Sequence, residues 1–307
     1  MNMSETGSQN LLNPQSGNLA FKIFGFETIC HFDHIQRLGY YTMILVLAGK
    51  GKLKADFSDH HFSENSLMCF SPFQPFMLET DDTLKGLCIH FHPDFFCIQK
   101  HQQETACNGI LFNNIYDPPL LHMDFPETGK LLPVIESMRT EMRNPGLSQY
   151  DLLISQLKIF LITAARIKLS RTPNTTADFP GKQPLVLQEL KGAIETHFKS
   201  KHTASDYAGL LHISPKALAK TCKQYFHKTL TDLIAERIVI EAKRELYLTS
   251  KSVKEIAWEL GYEDEHYFSR FFKRNAEISP QYYRDTIGFA RAEGFLIPEV
   301  ISGASAN

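Results

Sequence analysis

Between residues 19 and 92 the apolar positions come in short bursts. FKIFGFETI, YYTMILVLAG, GKLKADF, HHFSENSLMCFSP and LKGLCIHFH are each rich in aromatic and aliphatic side chains, separated by Gly, Asp, Asn or Pro. Such runs predict successive antiparallel strands, and tight connections between them predict a small β-barrel or sandwich. From residue 126 the period lengthens. Leu153, Leu157, Phe160, Ala164 and Ile167 recur at spacings of four, three, four and three, as on one stripe of a helix. Ile154, Ile159, Leu161 and Ile162 add further apolar positions to that helix. One stripe can face its own domain and the other a second subunit, in which case Leu157 and Phe160 would lie at the subunit contact; the alternative is a helix buried wholly within its own domain.

RTPNTTADFPGKQP, at 171–184, mixes Pro, Thr, Asn and Gly without any period and predicts an interdomain linker. The chain then divides into a domain at 1–170, this linker, a helical domain at 185–290 and a tail at 291–307.

Beyond the linker the pattern is helical as far as about residue 288. In GYEDEHYFSRFFKR, at 261–274, Phe268, Phe271 and Phe272 fall within one arc at 100° per residue, with His266, Arg270 and Lys273 opposite. Asp264 can cap that helix, and the neighbouring acids suit its positive end. The preceding helix, SVKEIAWEL, buries Val253, Ile256, Ala257 and Leu260 and stops at Gly261, a residue suited to a tight turn. Helix, turn and cationic second helix make a helix-turn-helix unit. Fifty residues earlier the pattern repeats in SPKALAKTCKQYF, 214–226. Ser214 caps, Pro215 takes the first helical position, and Leu218 and Cys222 stand where Phe268 and Phe272 stand. Lys216, Lys220 and Lys223 take the outward places. Between the units, TLTDLIAERIVIEAKRELYLT reads as one helix; about 20 residues span roughly 30 Å, close to the ~34 Å turn of B-DNA.

Charge sharpens this division. The net charge is −2, yet residues 1–181 carry 14 Lys and Arg against 18 Asp and Glu, whereas 182–290 carry 17 against 14. The cations collect on the helical half, where a nucleic-acid face needs them. Six scattered cysteines without a Cys-x-x-Cys pair and a polar N-terminus predict a reducing, cytoplasmic setting. Apolar runs such as MILVLA at 43–48 are too short to span a bilayer, so no membrane is implied.

SPKAL with Lys223, ERIVIEAKREL, VKEIAWELGYEDEHYFSRFFKR and ISPQYYR closely resemble the tandem motif of the AraC/XylS family of bacterial transcription regulators, over about 187–287. The resemblance implies a seven-helix, homeodomain-like DNA-binding domain. Two positions depart from it: where the family usually has glycine after a recognition helix, this chain has His227 and Glu277. The DNA-facing candidates are Lys216, Ala217, Ala219, Lys220, Lys223, Glu265, His266, Tyr267, Arg270 and Lys273. Of these, Glu265 can accept a hydrogen bond from cytosine N4, and Arg270 suits a guanine or phosphate.

LVLAGKGKLKADFSDHHFSENSLMCFSPFQPFML resembles the cupin-like sensing domain often found upstream in this family. A pocket lined by Phe70, Phe76 and Phe91 would suit a small-molecule effector. Metal-binding cupins carry an early His-x-His, a Glu and a later His; this chain has adjacent His60 and His61, and His90 and His92 only at the end of the strand region. His90 and His92 share a strand face with Cys88, but a half-buried or turn-capping role is preferred to metal ligation. His31 and His34 add no signal, and no metal or other cofactor is expected. With no nucleophile elbow, phosphate loop or His-Glu-x-x-His, an enzyme is not expected either.

The expectation is therefore an α+β multidomain protein. A cupin-like N-terminal β-barrel with a helical dimerisation segment around 148–169 precedes an all-α tandem helix-turn-helix domain. Its partners would be double-stranded promoter DNA, a small-molecule effector and a second copy of itself, with RNA polymerase left open. The alternatives are a cupin-type metalloenzyme with a DNA-binding appendage, and a regulator whose barrel only dimerises.

Overall fold

A computed structural model describes residues 6–27, 32–55, 58–80, 83–171 and 185–287. The expected linker at 171–184 lies almost wholly outside the described residues, as do the tail at 291–307, Cys30 and His31.

The first half contains β1 (Thr6–Leu12), β2 (Leu19–Phe26), β3 (Tyr41–Ala48), β4 (Gly51–Ala55), β5 (Ser58–Phe62), β6 (Ser66–Phe70), β7 (Phe76–Glu79), β8 (Lys85–Phe91), the short α1 (Gln102–Thr105), β9 (Leu120–His122), α2 (Phe125–Arg143) and α3 (Gln149–Arg171). The strands form two antiparallel sheets, ordered β1-β2-β8-β3-β6-β9 and β5-β4-β7. Strand alternation gives the larger sheet two apolar faces. Phe24, Ile44, Met68 and Cys88 point toward Leu53, Phe76 and Leu78 of the smaller sheet. Phe21, Ile23, Met43, Ile89 and Phe91 point the other way, onto α2 and α3.

The 4-3-4-3 stripe of α3 serves that second core. Leu153, Leu157, Phe160, Ala164 and Ile167 are buried against the same chain's sheet and against Leu131, Ile135 and Met138 of α2. Leu161 is buried with them. The expectation that Leu157 and Phe160 meet a second subunit is thus corrected: the stripe that looked free for a partner is the inward one. What α3 leaves outside is Leu152, Ile159 and Leu169, between 42% and 53% exposed, with Ile162 half-buried among them.

The second half is α4 (Leu185–His197), α5 (Ala204–Leu210), α6 (Pro215–Phe226), α7 (Leu230–Leu248), α8 (Val253–Glu259), α9 (Glu265–Ala276) and α10 (Pro280–Ile287). Reciprocal capping boxes start three of them, from Thr203, Thr229 and Ser252 to Asp206, Asp232 and Glu255. All seven share one core, through residues such as Leu190, Tyr207, Leu218, Ile238, Ile256, Phe272 and Tyr283. Phe73, Cys97 and Ile115 of the first half join it, so the two halves pack together. Among the described residues, no helix is long and apolar enough to cross a membrane.

Candidate nucleic-acid interface

Each helix-turn-helix unit is fixed by local chemistry. In the second, α8 ends where Gly261 takes φ +81°; a Cβ there would lie 2.2 Å from the Lys199 carbonyl oxygen, so only glycine fits without displacement. The Asp264 side chain then accepts from the Tyr267 backbone N–H and caps α9. That hydrogen bond, with nearby His266 and Arg270, holds the Asp264 carboxyl below its usual range. In the first unit, Ser214 accepts from Ala217 N–H at 3.2 Å and Pro215 opens α6.

The inward face of α9 is Phe268 and Phe272, both fully buried, with Phe271 at the edge 5.2 Å from the Tyr262 ring. His266, Tyr267, Arg270 and Lys273 are exposed and Glu265 is half-buried. The Arg270 guanidinium lies 6.0 Å from the Tyr267 ring centroid, a cation–π contact that restrains its long side chain. On α6, Leu218 and Cys222 are buried, while Lys216, Ala217, Ala219, Lys220 and Lys223 are exposed. Lys223 is turned toward its own helix end, donating to the His227 carbonyl at 3.4 Å. Burial pushes the Cys222 thiol up to about 11, which keeps it protonated and inert at neutral pH. Gln224 and Arg274, missing from the sequence-based set, are exposed one turn beyond Lys220 and Arg270. The i, i+4 relation would have found both.

Helix α7 joins the units with 19 residues, about 28 Å at 1.5 Å per residue. Helices α6 and α9 both end in a left-handed residue, His227 at φ 57° and Glu277 at φ 62°. The two departures from the family's glycines therefore keep the backbone that glycine would favour.

In the N-terminal half, Phe70 and Phe76 stack face to face, ring centroids 3.9 Å apart, between the sheets. Phe91 lies in the other core against Tyr41 and Phe112. The structure thus brings together two of the three expected pocket residues. His90 Nδ1 is 3.0 Å from Thr42 Oγ1, and its Nε2 is 3.6 Å from Cys88 Sγ. His92 Nδ1 accepts from the Asp94 backbone N–H at 3.1 Å, a turn-capping geometry. Among the described residues, no three His, Cys, Asp or Glu side chains converge as a metal site. A cavity of about 90 Å³ opens elsewhere, between the two halves, with Ser71, Asn113, Ile115, Glu236, Lys243 and Asn275 in its lining.

Comparison with known proteins bears on the same helices. A helix-turn-helix domain family matches residues 207–286, from α5 to α10. The regulatory protein SoxS of Escherichia coli is 30% identical over 99 residues, covering 32% of this chain and 92% of SoxS. The chain belongs to the AraC/XylS family of transcription regulators. The transcriptional activator Btr of Bacillus subtilis is 34% identical over 84 residues, 27% of this chain and 16% of Btr. The raffinose operon regulator RafR of Pediococcus pentosaceus is 27% identical over 170 residues, 55% of this chain and 56% of RafR. The chain thus spans about half, or less, of those two relatives. Among solved structures, the C-terminal domain of AraT from Geobacillus stearothermophilus is 27% identical, covering 38% of this chain and 96% of that one, with a TM-score of 0.35.

Proposed function

We propose that this AraC/XylS member is a sequence-specific DNA-binding transcription regulator whose α6 and α9 enter successive major grooves on one face of promoter DNA. The observation that carries the reading is the pair. Two capped helices, each buried on its apolar face and exposed on its cationic one, are joined by a connector of about 28 Å, close to the ~34 Å turn of the duplex. The DNA-facing set is Lys216, Ala217, Ala219, Lys220, Lys223, Glu265, His266, Tyr267, Arg270 and Lys273, with Gln224 and Arg274 added.

The region at 1–170 is read as a cupin-like domain that senses a small molecule, and 185–290 as the DNA-binding domain. The two facing sheets support the cupin-like reading. Phe70 and Phe76 stack in the space between the sheets, so an effector bound there would displace that stack; the cavity between the halves offers a second place. A homodimer would use the outward face of α3, through Leu152, Ile159, Ile162 and Leu169. The setting is cytoplasmic, and RNA polymerase is the partner such a regulator would engage at a promoter.

Selection of duplexes from a random library, followed by binding to the selected and to a scrambled sequence at several salt concentrations, tests the central reading. Specific binding should exceed non-specific binding by about 10³-fold or more. Equal affinity for both duplexes would refute it.

A further inference from the structure

The first half of the molecule touches the C-terminal end of each recognition helix. Tyr116, in the loop before β9, places its ring 5.7 Å from that of Phe226, the last residue of α6. Its hydroxyl donates to Glu195 of α4 at 3.1 Å, and Lys191 lies over both rings at 5.0 and 5.5 Å. Arg37, in the loop between β2 and β3, pairs with Glu277, the residue that ends α9. Beside it, Phe73 packs on Tyr282 and Tyr283 of α10, and its N–H donates to the Leu38 carbonyl at 2.8 Å, tying the two loops together. Because the units are a repeat, Phe226-His227 and Ala276-Glu277 are equivalent places. The same half of the protein holds both.

Glu277 adopts a left-handed backbone, where a glycine would be unstrained. Folding alone gives no reason for a carboxylate there; the pair with Arg37 does. We infer that these contacts form a two-point grip by which the N-terminal domain sets the separation and angle of the two recognition helices, and so the operator spacing that the protein accepts. This rests on the DNA-binding reading above. Each contact is small, and the Arg37–Glu277 pair is more than a third exposed on both sides, so the grip holds position without locking it. The cavity between the halves lies between the two points. Asn114 and Ile115 beside Tyr116, Phe73 and Gln74 beside the Arg37 loop, and Asn275 beside the end of α9 all line it. A molecule bound there would bear on both contacts at once.

The test uses the full chain and a duplex that the unaltered protein has selected from a random library, with one or two base pairs then inserted between its two sub-sites. The unaltered protein should lose about tenfold or more in affinity per altered spacing. Arg37→Glu should bind a duplex bearing one sub-site as before, yet discriminate among spacings by no more than about threefold. Combining Arg37→Glu with Glu277→Arg should restore the discrimination. Glu277→Gly, which suits the left-handed backbone and so stays folded, should behave like Arg37→Glu. The grip is refuted if Arg37→Glu and Glu277→Gly rank the spacings as the unaltered protein does, or if the double reversal fails to restore what the single one lost. Selection of no duplex at all by the unaltered protein would instead overturn the DNA-binding reading, and the grip with it.

Discussion

Arg270 and Lys220 occupy equivalent positions on α9 and α6, but their chemistry differs. Arg270 has a planar fork restrained by Tyr267, which suits a two-bond contact with guanine; Lys220 is a mobile point charge. Arg270→Ala should therefore cost ~1–3 kcal/mol on the selected duplex and relax preference at one base pair. Lys220→Ala should weaken binding to selected and scrambled duplexes alike and lower the salt slope by about one unit. Titrations of both variants at several salt concentrations separate the two, and unchanged affinity in both would remove these helices from the interface. Gly261 is decided by backbone alone. With φ +81° and the Lys199 carbonyl 2.2 Å from an added Cβ, Gly261→Ala should lower stability by more than the ~1–2 kcal/mol of left-handed strain. Urea unfolding would show it, and an unchanged midpoint would contradict the contact. The sequence made the outward residues and this glycine legible because helical angle and turn chemistry are local properties. Whether Phe70, Phe76 and Phe91 share a space was not legible: strand alternation says that residues 70 and 91 face a core, not which of two cores.

At the scale of elements, the same limit explains α3. Its period was plain in Leu153, Leu157, Phe160, Ala164 and Ile167, and the helix is there. Which stripe faces inward depends on where α2 and the large sheet lie, and no local rule contains that. β1 escaped notice because TGSQNLL is polar; as an edge strand it pairs on one side only, with β2. HHFSENSLMCFSP is two strands, β5 and β6, broken where Asn65 turns left-handed at φ 62°. The corrected stripe changes what mutation should do. Leu157→Glu would bury a carboxylate among Leu131, Ile135 and Phe160 and should unfold the domain, since an unpaired buried charge costs several kcal/mol (~3–5). Ile159→Glu, on the outward face, should leave circular dichroism and melting unaltered while converting dimer to monomer. Sedimentation at micromolar concentration checks this. A dimer that survives Ile159→Glu would place the subunit contact elsewhere.

For the whole molecule, the division into two halves was visible in period and charge, but their packing was not, because it runs through single residues from distant loops. Tyr247 of α7 donates to Asp94 at 3.0 Å, Lys243 donates to the Pro72 carbonyl at 3.0 Å, and His92 sits in the same seam. Around the His92 ring are the Asp94 carboxylate at 3.4 Å, the Thr286 backbone of α10 and the Tyr40 ring at 5.8 Å. Burial pushes its pKa below the ordinary 6.5, against the raising pull of Asp94 and Thr286. A lowered imidazole pKa means that the folded state binds fewer protons than the unfolded one just below pH 6.5, so stability rises with pH through that window and is lost as pH falls through it. The geometry gives the cause: a protonated ring has no acceptor for the Asp94 N–H. His122, whose pKa burial also lowers, lies at the strand β9 end, away from the contacts named in this seam, and makes a useful control. Melting of the full chain between pH 7.5 and 5.5 should show a falling midpoint, and His92→Gln should flatten the fall. His122→Gln should flatten it too, by its own share, but only His92→Gln should preserve at pH 5.5 the protection of α10 from hydrogen exchange. Identical pH dependence in the unaltered protein and His92→Gln would show that the seam does not sense protons through this ring.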